Sequence, residues 1–151
     1  MSIAAARGRW NYKDEFRYTM NKNFLSIAAI LGAISVALGA FAAHKLREMT
    51  SPETVAIFET GVRYQFYHVF ALLFVAFLSE KIHNKWMIWA GNCFIMGIVL
   101  FCGSLYVLTA LAIAESTHRT LAGIMTPVGG VFFILGWLFL YLGVVKKGEE
   151  K

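Results

Sequence analysis

Four stretches without a single Asp, Glu, Lys or Arg dominate this chain: Phe24 to Ala43, Tyr64 to Ser79, Trp86 to Ala114 and Leu121 to Val145. A helix needs about 20 apolar residues to cross the hydrocarbon core of a bilayer. An open strand cannot cross, because its backbone groups find no partner in lipid. The stretches therefore read as four spans, and the chain as an all-α integral membrane four-helix bundle. Composition points the same way, with 58% hydrophobic and 15% charged residues, where soluble domains run near 45–50% and 25%. These figures exclude a disordered chain, collagen and a disulfide scaffold. Two cysteines and four histidines do not suggest a metal cluster, so neither metal nor cofactor is expected.

Local signals place the ends. The second stretch is short alone, but Ser51, Pro52 and Glu53 form a helix start just upstream. The second helix is thus expected over 52–79, its first turns lying outside the core. The third is expected over 86–111, tilted or leaving the membrane early because its run exceeds one span. Pro127 sits inside the fourth run, which is expected to begin there with Thr126 as cap and to cover 127–145. With the first helix at 24–43, these four make a domain over 20–145, followed by a short cytoplasmic tail, 146–151. Residues 1–19 show neither apolar periodicity nor a cap, and read as an extension or the product of an early start assignment. Within them, Arg7, Arg9, Trp10, Tyr12, Arg17 and Tyr18 suit a membrane surface. Ala40, Phe41 and Ala42 also fit a signal-peptidase pattern, although a 20-residue apolar run is longer than the usual ~7–15.

Charge sets the expected orientation. Arg7, Arg9, Lys13, Arg17, Lys22, Lys81, Lys85, Lys146, Lys147 and Lys151 share one side, and Lys45, Arg47, Arg63 and Arg119 the other. The side richer in Lys and Arg stays inside, so both termini are expected in the cytoplasm and the protein in the cytoplasmic (inner) membrane. The net charge of +5 needs no nucleic acid, since anionic headgroups account for it.

Lipid tails give helices no hydrophobic reason to associate, so close contact at small residues must hold the bundle. Gly32 and Gly39 are seven apart, as are Gly129, Gly136 and Gly143, and a seven-residue step returns within ~20° of the same face. Gly130 adjoins the second series. Gly91, Gly97 and Gly103 punctuate the third helix, and Ala29, Ala33 and Ala37 add a row on the first. A tight bundle or a homodimer face is the expected use of these residues. Cys93 and Cys102, on opposite faces of one helix, read as packers, and His83 and His118 as solvated loop residues.

Polar residues within or beside the spans gather toward the outer leaflet. His44 closes the first helix, and Glu59, Arg63, Tyr64, Gln65, Tyr67 and His68 occupy the outer part of the second. Ser104 and Tyr106 lie in the third, and Thr126 at the start of the fourth. Glu59 and Arg63 have the favourable i, i+4 order for an ion pair. Gly61, Gln65 and His68 make one stripe, expected to face the first helix, Ser104 and Tyr106, because such groups are costly in lipid. Interhelical hydrogen bonding is one use of this cluster; binding a lipid- or quinone-like molecule is the other. Paired carboxylates and a Ser-His-acid order are both missing, so no catalytic residue is expected.

Gly39 to His44 (GAFAAH), Phe58 to His68 (FETGVRYQFYH), Gly103 to Tyr106 (GSLY) and Thr126 to Gly130 (TPVGG) with Gly136-Trp137 together resemble the domain of unknown function 423 family, whose animal members are called transmembrane protein 256. The resemblance covers about residues 20–145. Ala42 departs from it, where the family usually has a second glycine, which loosens the expected packing of the first helix. The resemblance implies a four-helix integral membrane protein and no established activity. The expected role is a non-enzymatic accessory or membrane-integrity protein, partnered by membrane lipids and by a homo-oligomer or larger membrane complex. The alternative is a carrier of a lipid- or quinone-like molecule at the outer-leaflet cluster.

Overall fold

In the computed structural model the described residues are 12–115 and 119–146, with side chains described for 22–115 and 123–146. The expected surface role of Arg7, Arg9 and Trp10, the loop residue His118 and the tail from Lys147 lie outside them, as do the side chains of Tyr12, Arg17 and Tyr18. Helix α1 covers Tyr12–Ala43, α2 Lys45–Met49, α3 Pro52–Ser79, α4 Lys85–Gly97, α5 Gly103–Ile113 and α6 Arg119–Lys146. A π-helical turn, Ile98–Cys102, joins α4 to α5 without a break. Lys22–Ala43, Pro52–Ser79, Lys85–Ile113 and Gly123–Lys146 are each long and apolar enough to span a bilayer. Among the described residues every regular element is helical.

Caps explain where these helices start. Ser51 Oγ accepts the Thr54 amide at 3.4 Å, and Pro52 follows in the first turn, where a missing N–H costs nothing. Asn84 Oδ1 accepts the Met87 amide at 3.3 Å and opens α4. Between α1 and α2 the chain breaks at His44, and Leu46 then turns inward, fully buried against Ala42, Val55, Phe58 and Val62. Ala42 is itself buried in this cluster, so alanine is accommodated there. The larger core lies toward the Asn84 end and includes Phe24, Leu72, Val75, Met87 and Phe94.

Three boundaries differ from expectation. Helix α1 is already formed at Tyr12, the first described residue, rather than beginning near Phe24, because propagating an existing helix gains one hydrogen bond per residue fixed. The third span is interrupted by the π-turn, which no residue pattern announced. Helix α6 begins at Arg119 and runs through Pro127, so Thr126 is not its cap. A membrane helix tolerates an internal proline where neighbouring groups satisfy the backbone it disturbs.

Packing follows the glycines. Helix α1 lies along α3, α6 along α4 and the π-turn, and α3 against the whole third span. On the α4–α6 seam, Gly143, Gly136 and Gly129 meet Met87, Phe94 and Phe101, two antiparallel series each seven apart. A Cβ at Gly143 would lie 2.7 Å from Met87 Cε, one at Gly136 2.6 Å from the Phe94 ring, and one at Gly129 2.7 Å from Phe101 Cα. A Cβ at Gly130 would be at ordinary distance from the Phe101 ring, and one at Gly32 or Gly39 would lie 3.5 Å from Val69 or 3.6 Å from Val62. A Cβ at Gly103 would meet nothing within 4 Å, so this glycine closes no tight contact. The row Ala29, Ala33 and Ala37 is exposed.

Candidate functional site

The stripe on α3 faces inward. Gly61 leaves room for Tyr106, whose ring would lie 2.8 Å from a Cβ there. One turn on, Gln65 is 2% exposed. Its Nε2 donates to Leu31 O at 3.0 Å, and Tyr106 OH donates to its Oε1 at 2.8 Å. Ser35 Oγ also donates to Leu31 O, at 2.8 Å. One amide side chain thus joins α1, α3 and α5. A second link joins the third span to α6, where Ser104 Oγ donates to Phe101 O and shares a hydrogen bond of 2.7 Å with Thr126 Oγ1. The Phe101 carbonyl belongs to the π-turn.

The ten polar residues expected to act together are divided by the structure. Gln65 and Tyr106 form one network, Ser104 and Thr126 another. His44 is exposed at the α1–α2 break, in neither. Glu59 pairs with Arg47 at 3.2 Å instead of Arg63, because the short α2 folds back over the start of α3. Arg63 is exposed and makes no ion pair among the described residues. Tyr64, Tyr67 and His68 face a third place, formed with α6.

There His68, 6% exposed, lies flat on Phe133, ring centroids 3.5 Å apart and planes 8° apart. Its Nδ1 is 2.8 Å from Tyr64 O. A carbonyl only accepts, so Nδ1 carries a proton and Nε2 of the neutral ring is the acceptor. No other hydrogen bond of His68 is present among the described residues. No fully buried side-chain N or O among them lacks a partner, so Nε2 is not fully buried. His68 lines a groove of about 660 Å³ together with Tyr64, Tyr67, Phe101, Phe133 and Trp137, and with Pro127 and Gly130. Tyr67 and Trp137 are more than half exposed on its rim. The lining holds no Lys, Arg, Asp or Glu. Such a groove takes a flat, apolar body by stacking and offers it one ring nitrogen and the tyrosine hydroxyls.

Phe101, Phe133 and Trp137 were not expected at a site, nor was Arg47 as an ion-pair partner. Aligning the seven-residue series Met87, Phe94 and Phe101 against Gly143, Gly136 and Gly129 in antiparallel register could have brought the aromatic walls together. Among the described residues no group of His, Cys, Asp and Glu is placed to hold a metal ion.

Comparison with known proteins places the chain. A family model described as "Protein of unknown function (DUF423)" matches residues 38–130, which include Gln65, His68, Tyr106 and Gly129. The chain is 38% identical over 126 residues to a Bacillus subtilis protein named UPF0382 membrane protein YwdK, covering 83% of this chain and 98% of that one. It is equally identical over 128 residues to the Escherichia coli UPF0382 inner membrane protein YgdD, covering 84% and 93%. A Haemophilus influenzae UPF0382 membrane protein matches at 38% over 85% of the chain and 98% of its own length. No solved structure matches. Four apolar spans, the glycine seams and these relatives together make the chain a membrane protein belonging to the DUF423 (UPF0382) family, a family of unknown function.

Proposed function

We propose that this protein is a non-enzymatic accessory protein of the cytoplasmic membrane whose working surface is the groove over His68, where it holds a quinone-like ring borne on an apolar tail. The observation that carries the reading is His68, with no hydrogen bond at Nε2 among the described residues, in the lining of an uncharged aromatic groove. A buried network such as Gln65–Tyr106 has its partners already, whereas an open acceptor inside a span is a group awaiting a donor. The lining favours a ring over a phosphate, because no cation is there to balance one. Quinol hydroxyls would donate to Nε2, and the ring would lie between Tyr64, Phe101 and Trp137. Both termini face the cytoplasm in this reading, supported by the excess of Lys and Arg on their side. The relatives named as inner membrane proteins support the location.

The test is native mass spectrometry of the full chain in mild detergent, with a short-chain quinol added at increasing concentration. Saturable binding that disappears in His68→Leu, while helicity and the melting temperature persist, is the expected result. Failure to bind, or equal binding by His68→Leu, would overturn the reading. A purely supporting role in membrane integrity is favoured by the fully partnered Gln65 network, and is the reading left standing by that failure.

A further inference from the structure

At the Asn84 end of the bundle two cations converge on one ring. Asn84 caps α4, and its Nδ2 donates to Gly143 O at 2.9 Å, so the first turn of α4 is fastened to the last turns of α6. That tie brings Lys85 of α4 and Lys146 of α6 to the same indole. Their Nζ atoms lie 5.3 and 4.9 Å from the Trp86 ring centroid. Both lysines are exposed, and Trp86 is half-buried against Phe139, ring centroids 5.8 Å apart. Neither lysine makes an ion pair among the described residues, nor does Glu80, the acid nearest to Lys85 in the chain.

Lys146 complements the negative C-terminal end of α6. Lys85 does the opposite, since it is the first residue of α4, where the helix is already positive. The pair therefore places two like charges around one indole, at an end that repels one of them. Attraction to the indole face offsets part of that cost, and a bound anion would reverse it.

We propose that Lys85, Lys146 and Trp86 form a binding site for the phosphate of an anionic phospholipid. Tryptophan sits by preference at the headgroup level, and lysines beside it reach the phosphate plane with their stems on apolar surface. The Trp86 and Phe139 rings then meet the glycerol and the first chain carbons. A headgroup with net negative charge is selected, because a choline or ethanolamine amine would bring a third cation to the same place. This site is at the opposite end of α4 from the π-turn and does not depend on the groove over His68.

Native mass spectrometry of the full chain with added phosphatidylglycerol or phosphatidylcholine tests it. Phosphatidylglycerol should be retained over phosphatidylcholine on the order of 25-fold, about fivefold from each of the two lysines near the anionic headgroup. Lys85→Gln with Lys146→Gln should abolish the preference, and Lys85→Arg with Lys146→Arg should keep it. Lys45→Gln with Arg63→Gln, two exposed cations at the other end, should leave it unchanged. Equal retention of the two lipids, or equal loss in the Lys45/Arg63 variant, would overturn the proposal. Binding of inorganic phosphate at the two lysines without any lipid preference would overturn it as well, assigning the cations to a soluble anion.

Discussion

Tyr106 donates its hydroxyl to Gln65 Oε1 at 2.8 Å, and Gln65 Nε2 in turn donates to Leu31 O at 3.0 Å. Three helices meet through this one glutamine, 2% exposed and beside the glycine that seats the Tyr106 ring. Removing one partner and removing both should have different consequences. Tyr106→Phe leaves Gln65 Oε1 buried and unpaired, and should cost about 1–2 kcal/mol. Combining it with Gln65→Leu should cost less than the sum of the single changes, because the unpaired acceptor is gone. Reversible unfolding in mixed micelles reads the four corners of this cycle, and strict additivity would mean that the two side chains do not interact.

The α4–α6 seam predicts a contrast between two glycines. Gly136→Ala puts a methyl 2.6 Å from the Phe94 ring, and should cost about 1–3 kcal/mol by overpacking. Gly103→Ala meets nothing within 4 Å and should be neutral or stabilising by up to ~1 kcal/mol, the helix preference of alanine over glycine. Phe94→Leu should recover part of the loss in the Gly136→Ala background. Melting temperatures in detergent decide the matter; equal effects at positions 103 and 136 would contradict the seam.

Phe133 and Trp137 wall the same groove but should respond differently. Phe133 is 5% exposed and carries the His68 ring, so Phe133→Ala should destabilise by about 3 kcal/mol or more through the cavity it leaves. Trp137 is half exposed to lipid, so Trp137→Ala should leave the melting temperature near that of the parent. It should nevertheless weaken quinol binding several-fold if the rim stacks on the ring. A Trp137→Ala protein that binds as well as the parent would remove the rim from the site.

The Arg47–Glu59 pair is exposed on both sides, and Arg47→Gln should cost no more than about 1 kcal/mol, with salt reducing the difference. Leu46, fully buried beside it, should matter far more: Leu46→Ala is expected to cost about 2–4 kcal/mol. Arg63→Gln should have no measurable effect on stability. A larger effect from Arg63 than from Arg47 would restore the i, i+4 pairing that the spacing suggested.

The helical, membrane-spanning character of this chain was legible before any tertiary information. Charge-free runs such as Phe24 to Ala43 leave a backbone in lipid no choice but to satisfy itself within a helix, and that constraint acts locally. The series Gly129, Gly136 and Gly143 likewise declared one close-packed face, because seven residues return nearly to the same side of a helix. The inward direction of Gly61, Gln65 and His68 followed from the cost of exposing amide and imidazole to lipid. What each of these met was another matter. That Gly136 receives Phe94, that Gln65 meets Tyr106 while His68 turns to Phe133, and that Glu59 chooses Arg47 over Arg63 all depend on how far separate helices slide and rotate against one another. The π-turn at Phe101 and the passage of α6 through Pro127 were not announced by the residue pattern of either span. Periodicity within one helix carries its own faces, but the axial offset and rotation between helices are set only when side chains from all four interlock.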